Sequence, residues 1–180
     1  MPIIPDDKDW TWVLERPCPE CGFDARQLDV QVTPALVDDL TDAWQEVLNR
    51  PDVARRPSPT KWSPLEYACH VRDVFELFTT RLHSMIAVDG VCFDDWDQDA
   101  TAVESRYDLQ DARVVSREIA GAGEQLAAQF RRIHGSLWQH KGIRSNGSEF
   151  TITTFAVYFA HDPIHHLWDV GSAYVFNSSC

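Results

Sequence analysis

The chain has 180 residues, of which 28 are acidic and 16 are basic, so that its formal net charge is −12. This acidic excess leaves no basic stripe for a phosphate backbone and argues against a nucleic-acid partner. A hydrophobic content of 44%, with seven Trp and nine Phe, supplies the core of one domain and excludes a disordered chain. No apolar run is long enough to span a bilayer and no leader pattern opens the sequence, so we expect a cytoplasmic protein without a membrane partner.

Helical periodicity organises the chain after residue 32, whereas residues 1–32 show no sustained period and are predicted to form an irregular N-terminal arm. Four segments carry the helical period: residues 34–49, 63–88, 112–138 and 151–175. Ser63, followed by Pro64 and Glu66, is a capping box with proline at the first helical position, which predicts where the second helix begins. Strand-like alternation is nearly absent. We therefore expect an all-α domain over residues 33–176, folded as a four-helix bundle.

A long acidic link, residues 89–111, joins the second and third predicted helices and predicts a crossover connection between them. Asp95, Asp97 and Asp99 imitate the start of a calcium loop. The twelfth position of that loop, however, holds Arg106 where calcium coordination requires a glutamate. We interpret the link as a solvated acidic segment, or as a lid over one end of the bundle.

Three histidines are the candidate metal ligands, namely His70, His161 and His165. His161 and His165 are four residues apart on the apolar face of the fourth helix, so both imidazoles can reach one ion. His70 lies on the apolar face of the second helix and could supply a third nitrogen, which leaves the open position of a catalytic site. Buried histidines that hydrogen-bond to their neighbours are the alternative. His166 points about 100° away from His165 and is predicted not to be a ligand.

Two neighbours of these histidines also have predicted roles. Asp73, one turn after His70, is either a carboxylate that orients that imidazole or a solvated helix residue. Pro163 lies between His161 and His165, where it removes one backbone donor and predicts a local kink. Because the interior of a helical bundle is a common place for metal ligands from facing helices, we favour the metal site over buried histidines.

The segment WSPLEYACHV around His70, followed near the C-terminus by His161 and His165, resembles the DinB-like superfamily over residues 33–175. The acidic segment FDDWDQD also resembles the link between helices 2 and 3 in that superfamily. The resemblance implies a four-helix bundle with a long crossover link, in which His70, His161 and His165 bind a divalent metal ion, zinc or nickel. It is also compatible with a homodimer.

The superfamily includes mycothiol- and bacillithiol-dependent transferases and maleylpyruvate isomerases. The resemblance therefore implies a metal-dependent S-transferase or isomerase, in which the ion deprotonates a low-molecular-weight thiol that attacks a small-molecule electrophile. The alternative is a non-catalytic, stress-associated metal-binding or scaffold protein with the same fold. Histidine nitrogens suit zinc, nickel, copper and iron alike, so the ligand types do not choose among these metals, and no catalytic residue is assigned.

The five cysteines do not form a secreted disulfide framework. The CPECG motif at Cys18 and Cys21 is similar to one half of a zinc ribbon, but a closed zinc site needs four ligands and the sequence has no second CxxC motif. A zinc role would need Cys69 and Cys92, or a second chain, to complete the site. A redox dithiol and plain surface thiols are the other interpretations, and we favour surface thiols.

Overall fold

The computed structural model describes residue 3 and residues 8–175 of the chain. Residue 176, the last of the predicted domain, and Cys180 lie outside these described residues. Within them the chain is mostly helical, with short 3-10 turns between the longer elements. The α-helices are α1 (Thr33–Leu48), α2 (Pro64–Ala87), α3 (Gln98–Glu104), α4 (Ala112–Phe130) and α5 (Ile152–Asp169).

The four predicted helices are confirmed as α1, α2, α4 and α5, although two of them end earlier than predicted. Helix α4 ends at Phe130, and the N–H of its C-cap residue, Arg131, donates to the carbonyls of Ala127 and Gln129. Helix α5 ends at Asp169, since Gly171 adopts a φ of +63° and Ser172 donates its N–H to the Leu167 carbonyl. Glycine in the left-handed region is a common helix terminator.

A small sheet lies beside the helices, and the expectation of an all-α fold is wrong in this respect. It consists of β1 (Val91–Phe93), β2 (Lys141–Arg144) and β3 (Glu149–Thr151), with β1 parallel and β3 antiparallel to β2. Strands of three or four residues are too short to show an alternating pattern in the sequence. Gly142 of β2 is needed for close packing, because a Cβ there would lie 2.6 Å from the Phe93 ring.

The acidic link between α2 and α4 is folded rather than merely solvated, since it contains β1 and α3. Asp97 caps α3 by accepting a hydrogen bond from the Ala100 N–H at 2.8 Å, which gives this carboxylate a structural role. The neighbouring Trp96 ring stacks on His70, with the ring centroids 5.4 Å apart. The link therefore covers the end of the helices where His70 lies.

The long helices pack on one another in pairs, with α4 against α1 and α2, and α5 against the same two helices. Their shared core is rich in fully buried aromatic side chains: Trp44, Phe75, Phe130, Phe155 and Phe159. None of the described helices has the length and apolar content needed to cross a membrane. The predicted four-helix-bundle arrangement and the kink at Pro163 stay predictions, although Pro163 does lie inside α5.

Candidate metal sites on helix α5

Helix α5 carries four side chains capable of binding metal in two neighbouring stripes. His161 and His165 form one stripe, and Asp162 and His166 form the other, one residue further along the chain. Because successive residues of a helix are rotated by about 100°, the two stripes face different neighbours. In the described part of the chain, each stripe is completed by residues from elsewhere into a group whose ligand atoms all lie within 4.8 Å of one another.

The first group, here called the His70 site, comprises His70, Asp162 and His166. The Nε2 atom of the fully buried His70 lies 3.4 Å from Asp162 Oδ2. The His70 and His166 rings meet edge to face, with their centroids 4.9 Å apart. Two helices therefore bring two imidazoles and one carboxylate to the same point.

Two buried polar atoms of the His70 site point to a missing partner. Of the side chains the structure describes, His70 Nδ1 and Asp162 Oδ1 are among the few buried polar atoms without a hydrogen-bond partner. Buried polar groups are normally satisfied, and those that are not require an explanation. An ion or a bound molecule at this point would supply it.

The electrostatics of the site favour an ionised carboxylate between imidazoles. Burial raises the pKa of Asp162, but the facing His70 and the nearby His166 outweigh this effect and hold the pKa well below its usual range. The second nitrogen of His166 is also accounted for, since its Nδ1 lies 3.0 Å from Asp169 Oδ2. A carboxylate that accepts the Nδ1 proton leaves Nε2 of the same ring as the available ligand.

The His70 site opens onto a cavity between two larger clefts. The cavity of about 70 Å³ is lined by Asp162 and His166 and also by His161 and His165 of the other stripe, together with Trp10, Tyr158 and Gln98. Asp162 also lies in the wall of an adjoining cleft of about 420 Å³. A small molecule in that cleft could therefore reach an ion held at the His70 site.

The second group, here called the Cys18 site, comprises Cys18, Cys21, His161 and His165. Cys18 and both histidines are buried, and Cys21 is half-buried. The side chains of the arm close over this stripe of α5, because the Trp10 ring lies 5.2 Å from the His161 ring and 4.9 Å from the His165 ring. The Cys18 site is therefore more enclosed than the His70 site.

The structure brings two of the three predicted ligands, His161 and His165, into one group and places His70 in the other. The three-histidine ligand set stays a prediction. His166, which was predicted not to be a ligand, and Asp162, which was not proposed as one, lie in a candidate ligand group. They have the same four-residue spacing as the predicted pair, so the signal was present one residue away. Asp73 accepts hydrogen bonds from the Tyr107 hydroxyl and Arg72 Nε rather than orienting His70.

The fold and the ligand groups agree with what comparison with known proteins finds. The model of the DinB superfamily matches residues 31–170, which include α1 to α5 and the complete His70 site. The CxxC loop of the Cys18 site precedes the matched region. No curated protein and no solved structure matches the chain. Since the family match covers well over half of the sequence, the chain belongs to the DinB superfamily.

Proposed function

We propose that this protein is a divalent-metal-dependent enzyme and that His70, Asp162 and His166 hold its catalytic ion. The observation that carries the proposal is the buried Asp162 Oδ1, which accepts no hydrogen bond from the described residues and lies 3.3 Å from His70 Nε2 in a three-ligand group beside a cleft. Catalytic metal sites keep three protein ligands and one open position, whereas structural zinc sites use four ligands and are closed. The His70 site has the first composition.

The donor set fits a divalent ion of the first transition series. Two imidazoles with one carboxylate are found in catalytic zinc sites and in non-haem iron sites. The Trp96 and Trp62 rings lie against His70, with centroids 5.4 and 5.6 Å away, and hold that imidazole in place. They also exclude water from its buried side, which strengthens electrostatic interactions at the site.

The proposed reaction is the transfer or isomerisation of an electrophile with a low-molecular-weight thiol of the mycothiol or bacillithiol type. A bound divalent ion lowers the pKa of a coordinating thiol and makes it a nucleophile at neutral pH. Membership of the DinB superfamily supports this choice. The cytoplasm, where such thiols are kept reduced, is the proposed location.

The adjoining cleft carries groups of both charges beside the proposed ion. Arg81 and Arg144 line it, and burial together with the neighbouring Arg144 guanidinium lowers the pKa of Arg81 to about 10. Asp95, Asp97 and Asp99 line the same cleft, and Asp95 Oδ1 lies 3.6 Å from Arg144 Nε, so the guanidinium groups already have carboxylate neighbours. Tyr158, whose hydroxyl lies 3.5 Å from Arg144, borders both this cleft and the cavity at the His70 site.

The second candidate function is a non-catalytic metal-binding or scaffold protein. The enclosed four-ligand Cys18 site favours it, because such a site contributes folding energy rather than chemistry. Thiol consumption distinguishes the two. Protein loaded separately with zinc and nickel is incubated with a panel of thiols and electrophiles, and the loss of free thiol is followed.

We expect thiol-dependent turnover by the wild type, loss of that turnover in His70→Ala and Asp162→Asn, and retention in His83→Ala. His83 is an exposed histidine on the same helix as His70 and is the matched control. Absence of turnover with every thiol, or full activity of His70→Ala, would contradict the enzymatic proposal and favour the scaffold.

A further inference from the structure

We propose that Cys18, Cys21, His161 and His165 form a closed structural zinc site that fastens the N-terminal arm to α5. This site is separate from the ion of the proposed function, with which it shares no ligand. Two thiolates and two imidazoles are one of the common ligand sets of structural zinc. All four residues offer a ligand atom within 4.8 Å of the others.

The distance between the sulfur of Cys18 and the nearer ring nitrogen of His165 suits a shared zinc ion. Cys18 Sγ lies 3.6 Å from His165 Nδ1. Zinc–sulfur and zinc–nitrogen bonds of about 2.3 and 2.0–2.1 Å at a tetrahedral angle place the two ligand atoms about 3.6 Å apart. The separation therefore fits two neighbouring corners of a zinc tetrahedron, and without an ion it is bridged by a hydrogen bond between Cys18 and His165.

The CxxC loop presents both sulfur atoms from a closed turn. The Cys18 N–H donates to the Phe23 carbonyl at 2.8 Å, and the Gly22 N–H donates to the Cys18 carbonyl at 3.0 Å. Gly22 adopts a φ of +75°, which only glycine tolerates without strain. Phe23 is buried 5.7 Å from the His161 ring, so the loop is anchored directly against the histidines.

Two carboxylates lie on the far side of His165, at ion-pair distance from its ring. His165 Nε2 lies 3.5 Å from Glu20 Oε2 and 3.7 Å from Asp169 Oδ2. A metal-binding histidine commonly directs its other ring N–H at a carboxylate, which fixes the tautomer and raises the basicity of the ligating nitrogen. The nitrogen left as a ligand is Nδ1, which faces Cys18, and Glu20 belongs to the CxxC loop itself.

His161 provides an independent observation. It is 4% exposed, and its Nε2 is one of the buried side-chain nitrogens for which the described residues offer no hydrogen-bond partner. A buried imidazole left in this state loses the solvation of a polar group without compensation. Coordination would remove that cost.

The charges of the ligand set also fit a zinc site. A divalent cation supplies the positive charge that stabilises a buried thiolate, and two thiolates with two neutral imidazoles make the zinc complex neutral overall.

A zinc ion would stabilise the N-terminal arm, which has little regular secondary structure. The described part of the arm, residues 8–32, consists of three short 3-10 turns and connecting loops, yet it places Val13, Cys18 and Phe23 in the core. Small segments without extended hydrogen-bonded structure are often stabilised by a metal. A zinc ion between the arm and α5 would crosslink the two.

The test is cobalt substitution of the full-length protein, purified under reducing conditions and stripped of metal. Tetrahedral Co²⁺ with two thiolates has an intense sulfur-to-cobalt charge-transfer absorption in the near ultraviolet, whereas a site of imidazoles and carboxylate has none. We expect this band in the wild type, with an intensity that corresponds to one cobalt–thiolate site per chain, and its displacement by zinc. Its absence from the wild type would overturn the proposal without any variant having to fold.

Variants assign the band to its ligands. We expect its loss in Cys18→Ser/Cys21→Ser and its retention in Cys92→Ser, in which an exposed cysteine is changed, and in His70→Ala. A band that survives the double substitution would overturn the assignment, as would a disulfide between Cys18 and Cys21 found by peptide mass analysis of freshly isolated protein. Loss of thiol turnover in His70→Ala with the band intact would show that the catalytic His70 site and the structural Cys18 site are independent of each other.

Discussion

The His70 site and the Cys18 site lie on adjacent stripes of one helix and differ in almost every property that governs metal chemistry. The His70 site has three ligands, includes a carboxylate and borders a cleft. The Cys18 site has four ligands, includes two sulfur atoms and is covered by the arm, while its two histidines border the small cavity that Asp162 and His166 also line. A one-residue step along α5 thus separates a group suited to chemistry from a group suited to structure.

The comparison teaches that a repeated spacing can encode two sites. The pairs 161/165 and 162/166 are each four residues apart, and each has its third partner on a different element, the arm in one case and α2 in the other. Changes at one site should therefore leave the other intact. Variants at or near one site therefore test whether the two sites bind metal independently.

The largest expected effect is on catalysis. Replacing His70 with alanine removes one of three ligands, and we expect thiol-dependent turnover to fall by more than about 100-fold, since loss of even an outer partner of a metal ligand costs 10–100-fold. The cobalt–thiolate band of the Cys18 site should be unchanged. Steady-state kinetics and absorption spectra of the same preparation measure both effects, and a simultaneous loss of the band would contradict the separation.

A change of stability at the start of α2, one helical turn before His70, should remove no ligand of either site. Glu66 is buried, bonds to Arg56 at 2.9 Å and caps α2 through Ser63. We expect Glu66→Gln to lower the free energy of unfolding by about 1–3 kcal/mol, because a charge-assisted pair loses one partner. Denaturant titration measures the change, while the metal content per chain should stay constant.

The same variant has a defined pH dependence. Burial raises the pKa of Glu66, but Arg56 and Ser63 outweigh this effect, so the pKa in the folded state lies below the ordinary value of 4.5. A carboxyl group with a depressed pKa stabilises the fold above its unfolded pKa, and this stabilisation is lost as the pH falls through the folded pKa. The stability difference between wild type and Glu66→Gln should therefore shrink below about pH 4.5; a difference independent of pH would be the opposite result.

A smaller effect is expected from the carboxylate behind His165. Glu20→Gln keeps the size of the side chain and removes the charge facing His165 Nε2, so we expect zinc affinity at the Cys18 site to fall by about 10-fold. Competition with a chromophoric chelator measures the affinity. Glu15→Gln, an exposed change elsewhere in the arm, is the matched control and should have no effect.

The smallest effect is expected from the turn that presents the sulfur atoms. No heavy atom lies within 4 Å of a Cβ added at Gly22, so Gly22→Ala introduces backbone strain without a clash. Strain of about 1 kcal/mol would lower zinc affinity at the Cys18 site by about fivefold. An unchanged affinity would show that the loop conformation does not contribute to binding.

The helices could be predicted from the sequence because their signals are local. Ser63 and Glu66 do form a capping box at the start of α2, and the hydrophobic period located α1, α4 and α5. The sheet could not be predicted, because β1 pairs with β2 about fifty residues away and neither strand is long enough to alternate. Three-residue strands depend on tertiary contacts such as the packing of Gly142 against Phe93.

The candidate sites could be predicted only in part, because their residues are far apart in the sequence. The spacing of His161 and His165 indicates that they can act together, but the partners that complete a site come from distant parts of the chain. Cys18 lies 147 positions from His165, and no local pattern connects them. The CxxC motif therefore seemed to lack its second half, which the fold supplies from α5.

The most direct test of two separate metal sites is the number of metal ions per chain. It is measured by elemental analysis of untagged, zinc-loaded wild-type protein and of one variant for each site. We expect two ions in the wild type, one in His70→Ala and one in Cys18→Ser/Cys21→Ser, with circular dichroism showing the same helical content in all three. A wild type with a single ion that both variants lose would contradict the account, because the two stripes of α5 would then serve one shared site.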